Sequence, residues 1–212
     1  MALVALAVLG VAASSTRGLL RRIRQNALAQ YSHESGSRRP FLGKPHQVPG
    51  LIEAEHYDLG PTSDPAYRDS TPGSLAPPDQ RYRPDDVDVG GDPLLDLVDV
   101  AWVTEGEWLE YTLEVPRPGR FRIETRLATP ENGRQFHFTL DGRPLTGPIT
   151  APNTGCWGSD LKGGHCFGTV LSEPFELPAG SHRLRWVAQT GGYTVDWFKL
   201  EAVTNAGPGV AR

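Results

Sequence analysis

The stretch Trp108-Leu-Glu-Tyr-Thr-Leu-Glu-Val115 alternates apolar and polar side chains over eight positions. Successive side chains of a strand point to opposite faces, so Leu109, Tyr111, Leu113 and Val115 share one face. Trp108, Glu110, Thr112 and Glu114 share the other. Working outward, Pro116-Arg-Pro-Gly119 is a turn. Arg120 to Leu127 then alternates again, with Phe121, Ile123 and Leu127 inward and Arg120, Arg122, Glu124 and Arg126 outward. Gln135 to Leu140 puts Phe136, Phe138 and Leu140 on one side, and Asp141-Gly142 is a hairpin signal. Further strands fall at 168–177, at 182–188 with Leu184 and Trp186 together, and at 193–201. No segment after residue 50 sustains a helical period. Short strands at about 8–12-residue spacing, split by turns, predict an all-β antiparallel sandwich or barrel.

Composition agrees. The chain has 212 residues, with 24 Gly and 19 Pro, a load suited to many turns. The charge is uneven. Residues 1–49 carry seven basic side chains and one acid, a net of +6, and the remainder carries 14 basic and 24 acidic, a net of −10. An acidic body argues against nucleic acid as its partner. Met1 to Ala13 is almost wholly apolar but too short to span a bilayer, which needs about 20 residues. It reads as the core of a secretory signal, with an Arg-rich transit peptide or neither as alternatives. Residues 17–30 suit a short amphipathic helix, and 31–49 read as a linker. The expected organisation is therefore a targeting-like segment and basic linker over 1–49, a β-sandwich over 50–201 and a tail over 202–212.

Cys156 and Cys166 lie in one Gly-rich stretch, where they either close a disulfide or remain free thiols. A disulfide would fit an oxidising compartment. No CxxC, phosphate-binding Gly loop, HExxH or GxSxG occurs.

Several short motifs fall in a recognisable order: Ile52-Glu-Ala-Glu55, Ala66-Tyr-Arg-Asp69, Arg81-Tyr-Arg83 leading to Asp86-Val-Asp-Val89, Val100-Ala-Trp102, Gly106-Glu-Trp-Leu-Glu-Tyr111, Pro152-Asn-Thr-Gly-Cys-Trp157 and Thr190-Gly-Gly-Tyr-Thr-Val-Asp-Trp197. The set resembles the family 6 carbohydrate-binding modules, jelly-roll β-sandwiches of the galactose-binding-domain type attached to secreted polysaccharide-degrading enzymes. A sugar ring has a face of C–H bonds and a rim of hydroxyls, and a planar aromatic packs on that face at low entropic cost. The resemblance implies that Trp102 and Trp157 are the two rings of a binding cleft at one end of the sandwich. It implies that Thr194 stands where an Asn commonly bonds the sugar rim, and that Trp108 serves a second cleft on the concave sheet. Gly90 stands where a Glu is common, with Asp92 nearby. Trp186 and Trp197 sit in strands and read as structural.

Glu53 and Glu55, two apart, share a face if they lie in a strand, and Asp196 reads as inward with Phe198 and Leu200. The resemblance implies a structural calcium held by Glu53, Glu55 and Asp196, and oxygen ligands suit that ion. Glycosidases need two carboxylates across a cleft. Glu105, Glu107 and Glu110 qualify only by residue type, and His56, His137, His165 and His182 are scattered singly. The expected protein is a non-catalytic, secreted module that binds a polysaccharide or oligosaccharide, either alone or beside a glycoside hydrolase, with no transmembrane segment. The alternatives are a glycoside hydrolase fragment, an adhesion module with a degenerate site, or targeting to an organelle.

Overall fold

The computed structural model describes residues 37–78, 81–92, 97–158 and 166–203. Among the described residues, fourteen strands and one turn of 3₁₀ helix carry the fold. The first six strands are β1 (His46–Gln47), β2 (Gly50–Glu53), β3 (Tyr67–Arg68), β4 (Val89–Asp92), β5 (Leu97–Val100) and β6 (Trp108–Val115). They are followed by β7 (Gly119–Ala128), β8 (Gln135–Leu140), β9 (Arg143–Pro144) and β10 (Ile149–Thr150). The last four are β11 (Gly168–Leu171), β12 (Phe175–Leu177), β13 (Gly180–Ala188) and β14 (Thr194–Ala202). One sheet runs β1-β6-β13-β8-β10, with β3 also on β6 and β9 on β8. The other runs β11-β7-β14-β5-β4, with β12 on β7 and β2 on β14. All pairings are antiparallel except the two-residue β1–β6 pairing. Among the described residues no helix is long and apolar enough to cross a membrane.

The alternation at residues 108–115 explains the packing. Leu109, Tyr111, Leu113 and Val115 are buried, while Trp108, Thr112 and Glu114 face outward and are only half-buried. The two sheets meet on Phe198 of β14. Its ring lies 5.2 Å from Phe138, 5.6 Å from Tyr111 and 6.4 Å from Trp186, all on the opposite sheet. Asp141 and Gly142 both take positive φ (50° and 76°), the conformation a tight hairpin turn requires.

Two expectations are corrected. The body begins before residue 50: Phe41 and Val48 are in the core, β1 pairs with β6, and Arg38 bonds Asp58 and Pro65. A Gly/Pro-rich composition hid these anchors. Residues 1–36, including the apolar and amphipathic segments, lie outside the described residues. Glu53 ends its strand and Glu55 sits on the 3₁₀ turn Ala54–His56, so the two are not strand neighbours on one face.

Candidate functional site

Five connections cross between the sheets at one end of the sandwich: β3 to β4, 101–107 (β5 to β6), 129–134 (β7 to β8), 151–167 (β10 to β11) and 189–193 (β13 to β14). The antiparallel registers require this. The start of β6 lies beside the end of β13, and the start of β14 beside the end of β7. Trp102 and Trp157 ride on two of these loops. They are the most exposed of the five tryptophans, at 51% and 50%.

Trp102 adopts φ 49°, a left-handed conformation costing about 1–2 kcal/mol in a non-glycine residue. Hydrogen bonds on both sides hold it there. Ala101 N–H donates to Asp88 O (2.9 Å), and Val103 O accepts from Gly192 N–H (2.9 Å). Gly191 must be glycine, because a Cβ there would lie 2.7 Å from Val103 O.

Trp157 sits between Gly155 and Gly158, both at positive φ. Cys156 and Cys166 form a disulfide (Cα–Cα 5.8 Å) that closes this loop, which settles the choice the sequence left open. A Cβ on Gly158 would meet the Phe167 ring at 2.8 Å, so the glycine permits close packing there. Asn153 braces the loop, donating to Pro130 O (2.9 Å) and accepting from Gly155 N–H (2.9 Å).

A relay joins the two tryptophan loops. Gly192 donates to Val103 and accepts from Thr129 Oγ1 (2.7 Å). Thr129 N–H donates to Thr154 Oγ1 (2.8 Å), and Thr154 N–H donates back to Thr129 O (2.7 Å). The chain of bonds thus runs from the residue after Trp102 to three residues before Trp157. Thr194 is only 3% exposed, in register with Ala128, so its hydroxyl has little access to a ligand rim.

Trp108 lies apart from this end loop cluster, on the outward face of the first sheet. The Arg185 guanidinium stacks on its ring at 3.9 Å. Glu110 holds that guanidinium with two bonds to one carboxylate oxygen (3.0 and 2.7 Å). One face of Trp108 is thereby taken. Val187 is opposite Trp108 in register, and alternation along β13 gives Arg185 the same outward face.

The acids expected to hold calcium occupy another region, where β2, β5 and β14 meet. Glu55 is buried, and its Oε2 has no hydrogen-bond partner. Burial first, then the charges of Glu53, Asp196 and Asp99, pushes its carboxyl well above the usual range. Asp99, absent from the expected set, is raised to about 7 by burial and then by Asp196. An acid inside the apolar run Leu97-Val-Asp-Val100 was the sequence signal for it. Glu53 and Asp196 are raised too, by burial first. Crowded, buried oxygen donors of one sign fit a hard dication by chemistry. They do not converge: among the described residues no group of three or more His, Cys, Asp or Glu stands ready to hold a metal. Asp196 instead pairs with Arg126, whose guanidinium also lies 4.4 Å from the Phe167 ring.

Residues 90–202 match the family model described as carbohydrate binding module (family 6). Among solved structures, CsCBM6-3 from Clostridium stercorarium, in complex with cellobiose, is similar at TM-score 0.52 and 18% identity, covering 76% of this chain and 99% of that one. A family 6 module whose binding sub-sites were dissected by crystallography and calorimetry is similar at TM-score 0.54 and 18% identity, covering 75% and 98%. A Bacillus thuringiensis Cry1Da tryptic core variant is similar at TM-score 0.52 and 15% identity, covering 76% of this chain and 25% of that one. No curated protein matches the sequence. The structural likenesses show a shared sandwich fold. The family match spans more than half of the chain, including the Trp157 loop and the last strand, and it is decisive: the chain belongs to family 6 of the carbohydrate-binding modules, which are non-catalytic.

Proposed function

We propose that this module binds a polysaccharide or oligosaccharide at the loop end of the sandwich, with Trp102 and Trp157 packing on the C–H faces of sugar rings. The observation that carries the reading is the pair of half-exposed indoles on loops tied together through Gly192. Exposing two such rings forgoes roughly 1.5–3 kcal/mol of burial each, and a stacked sugar restores part of it. The cellobiose held by the Clostridium stercorarium neighbour makes β-glucosides the first probes. A glycan array followed by titration calorimetry tests the reading. Trp102→Ala and Trp157→Ala should each lower affinity at least tenfold, and wild-type affinity in both would move the site elsewhere. The outward face at Trp108 would then be next, reached by displacing Arg185 or by using the free side of the ring.

The same reading makes the protein secreted, as the disulfide favours, and working alone or tethered to a glycoside hydrolase whose local substrate concentration it raises. Calcium belongs to the proposal as a structural ion. Glu53, Glu55 and Asp196 would hold it with Asp99 beside them, once their carboxylates turn toward one another and Asp196 releases Arg126, and the ion would link the strand pair β2–β14 to β5. Bound calcium would supply the positive charge these carboxylates lack.

A further inference from the structure

We infer that Glu107 is a positioning residue for sugar binding: its carboxylate clamps the turn after Trp102 to the segment 69–76 and so sets the pose of the indole. The inference rests on Trp102 being a sugar-contacting ring.

Glu107 is only 8% exposed and has no cationic partner among the described residues. Its charge is met wholly by hydrogen bonds. Oε2 accepts from Thr104 N–H (2.9 Å). Oε1 accepts from Thr104 Oγ1 (2.7 Å), Ser70 Oγ (2.8 Å) and Ser70 N–H (3.1 Å). The Ser70 and Thr104 hydroxyl oxygens also lie against each other, with both of their protons directed at Glu107. Thr104 is two residues beyond Trp102 and Ser70 is 34 residues before Thr104, so one carboxylate fastens two distant segments.

The far side of Trp102 is braced from the same segment. Leu75 N–H donates to the Asp88 carboxylate, and Asp88 O receives Ala101 N–H. Trp102 therefore stands between two braces, Glu107 after it and Asp88 before it, and both end on residues 70–75. Such bracing is what a strained left-handed residue needs, since that backbone persists only when its surroundings over-determine it. The carboxylate suits the role because it only accepts: every partner presents a donor. In Glu107→Gln the new NH₂ must face at least one of those donors.

The test uses two readouts on the whole chain. The first is hydrogen exchange at the amides of Ser70 and residues 103–106. Glu107→Gln should speed it at least tenfold there while the 122–127 segment of β7 is unchanged. The second is affinity for cellohexaose, laminarihexaose and xylohexaose. For whichever of these binds, Glu107→Gln should weaken binding about tenfold, and in the Trp102→Ala background it should weaken binding no further. A full additional loss in that background would overturn the inference, because Glu107 would then act independently of the indole. Unchanged exchange at 103–106 would overturn it too, and that readout decides even if none of the three glycans binds. If Glu107→Gln unfolds the module, Thr104→Val removes a single hydroxyl donor and is judged by the same two patterns. Wild-type affinity in Trp102→Ala would instead defeat the Trp102 reading, with exchange still reporting on the clamp.

Discussion

Trp157 and Trp186 are the same residue under opposite constraints, one 50% and the other 1% exposed. Trp186→Ala should cost roughly 3–5 kcal/mol by chemical denaturation, as core aromatic truncations do. Trp157→Ala should leave the denaturation midpoint within about 0.5 kcal/mol of wild type, the usual range at exposed positions. A large stability loss at Trp157 would mark it as structural. The contrast was legible in the sequence, because Gly155 and Gly158 flank one ring and strand neighbours flank the other. Glu107 was not legible beyond its type, since its partners Ser70 and Thr104 are assembled only by folding. His56 makes a different residue-scale prediction. It is stacked on Phe41 and bonded to Tyr82, and burial, then His46 and Arg83, pushes it down to about 3. His46 is lowered too, by burial first. The unfolded chain takes up these protons near pH 6.5 and the folded one resists. The stability involved is thus present above pH 6.5 and lost as pH falls toward 3. His56 alone should remove about 2 kcal/mol between pH 7 and pH 5. Equilibrium denaturation of wild type and His56→Gln across that range checks it, and the variant should show a shallower decline.

At the scale of elements, the period-two runs located the long strands well, because a half-buried strand in a two-layer sandwich is what strict alternation encodes. Irregular backbone escaped. In β14 the register shifts between Val195 and Trp197, and Thr194, Val195 and Asp196 are buried in succession. An alternation count cannot show such a bulge, nor the 3₁₀ turn that carries Glu55. The segment around Phe41 and Val48 escaped because its anchors are single residues in a turn-rich stretch. The disulfide loop yields a prediction of its own. Cys156 and Cys166 are separated by ten positions. Closing a loop of that size contributes about 2–3 kcal/mol in the chain-entropy model. The Cys156→Ser/Cys166→Ser double variant should lose about that much in denaturant unfolding. Its glycan affinity should also fall, because Trp157 would no longer be held by a closed loop.

For the whole molecule, the proposed calcium ion carries the prediction. An ion bound only by the folded state stabilises it by mass action, about 2.7 kcal/mol at one hundred times its dissociation constant. Melting temperature should rise with calcium and fall with a chelator, and Asp196→Asn should abolish the difference. Identical melting with and without chelator, together with no metal by elemental analysis, would remove the ion. Family and class were visible in the chain because ordered motifs and alternation survive without coordinates. The acid cluster was only partly visible, because Asp99 and Arg126 join it from other strands. A last consequence follows from the loops that cross between the sheets. Each tryptophan hangs from a bridge with one foot on either layer, so the spacing of the proposed sugar-binding pair depends on the thickness of the core. In that proposal the contact plane at Phe198 gauges the sugar from beneath. A volume change there, such as Phe198→Leu, should alter which glycan fits without altering any residue that touches it.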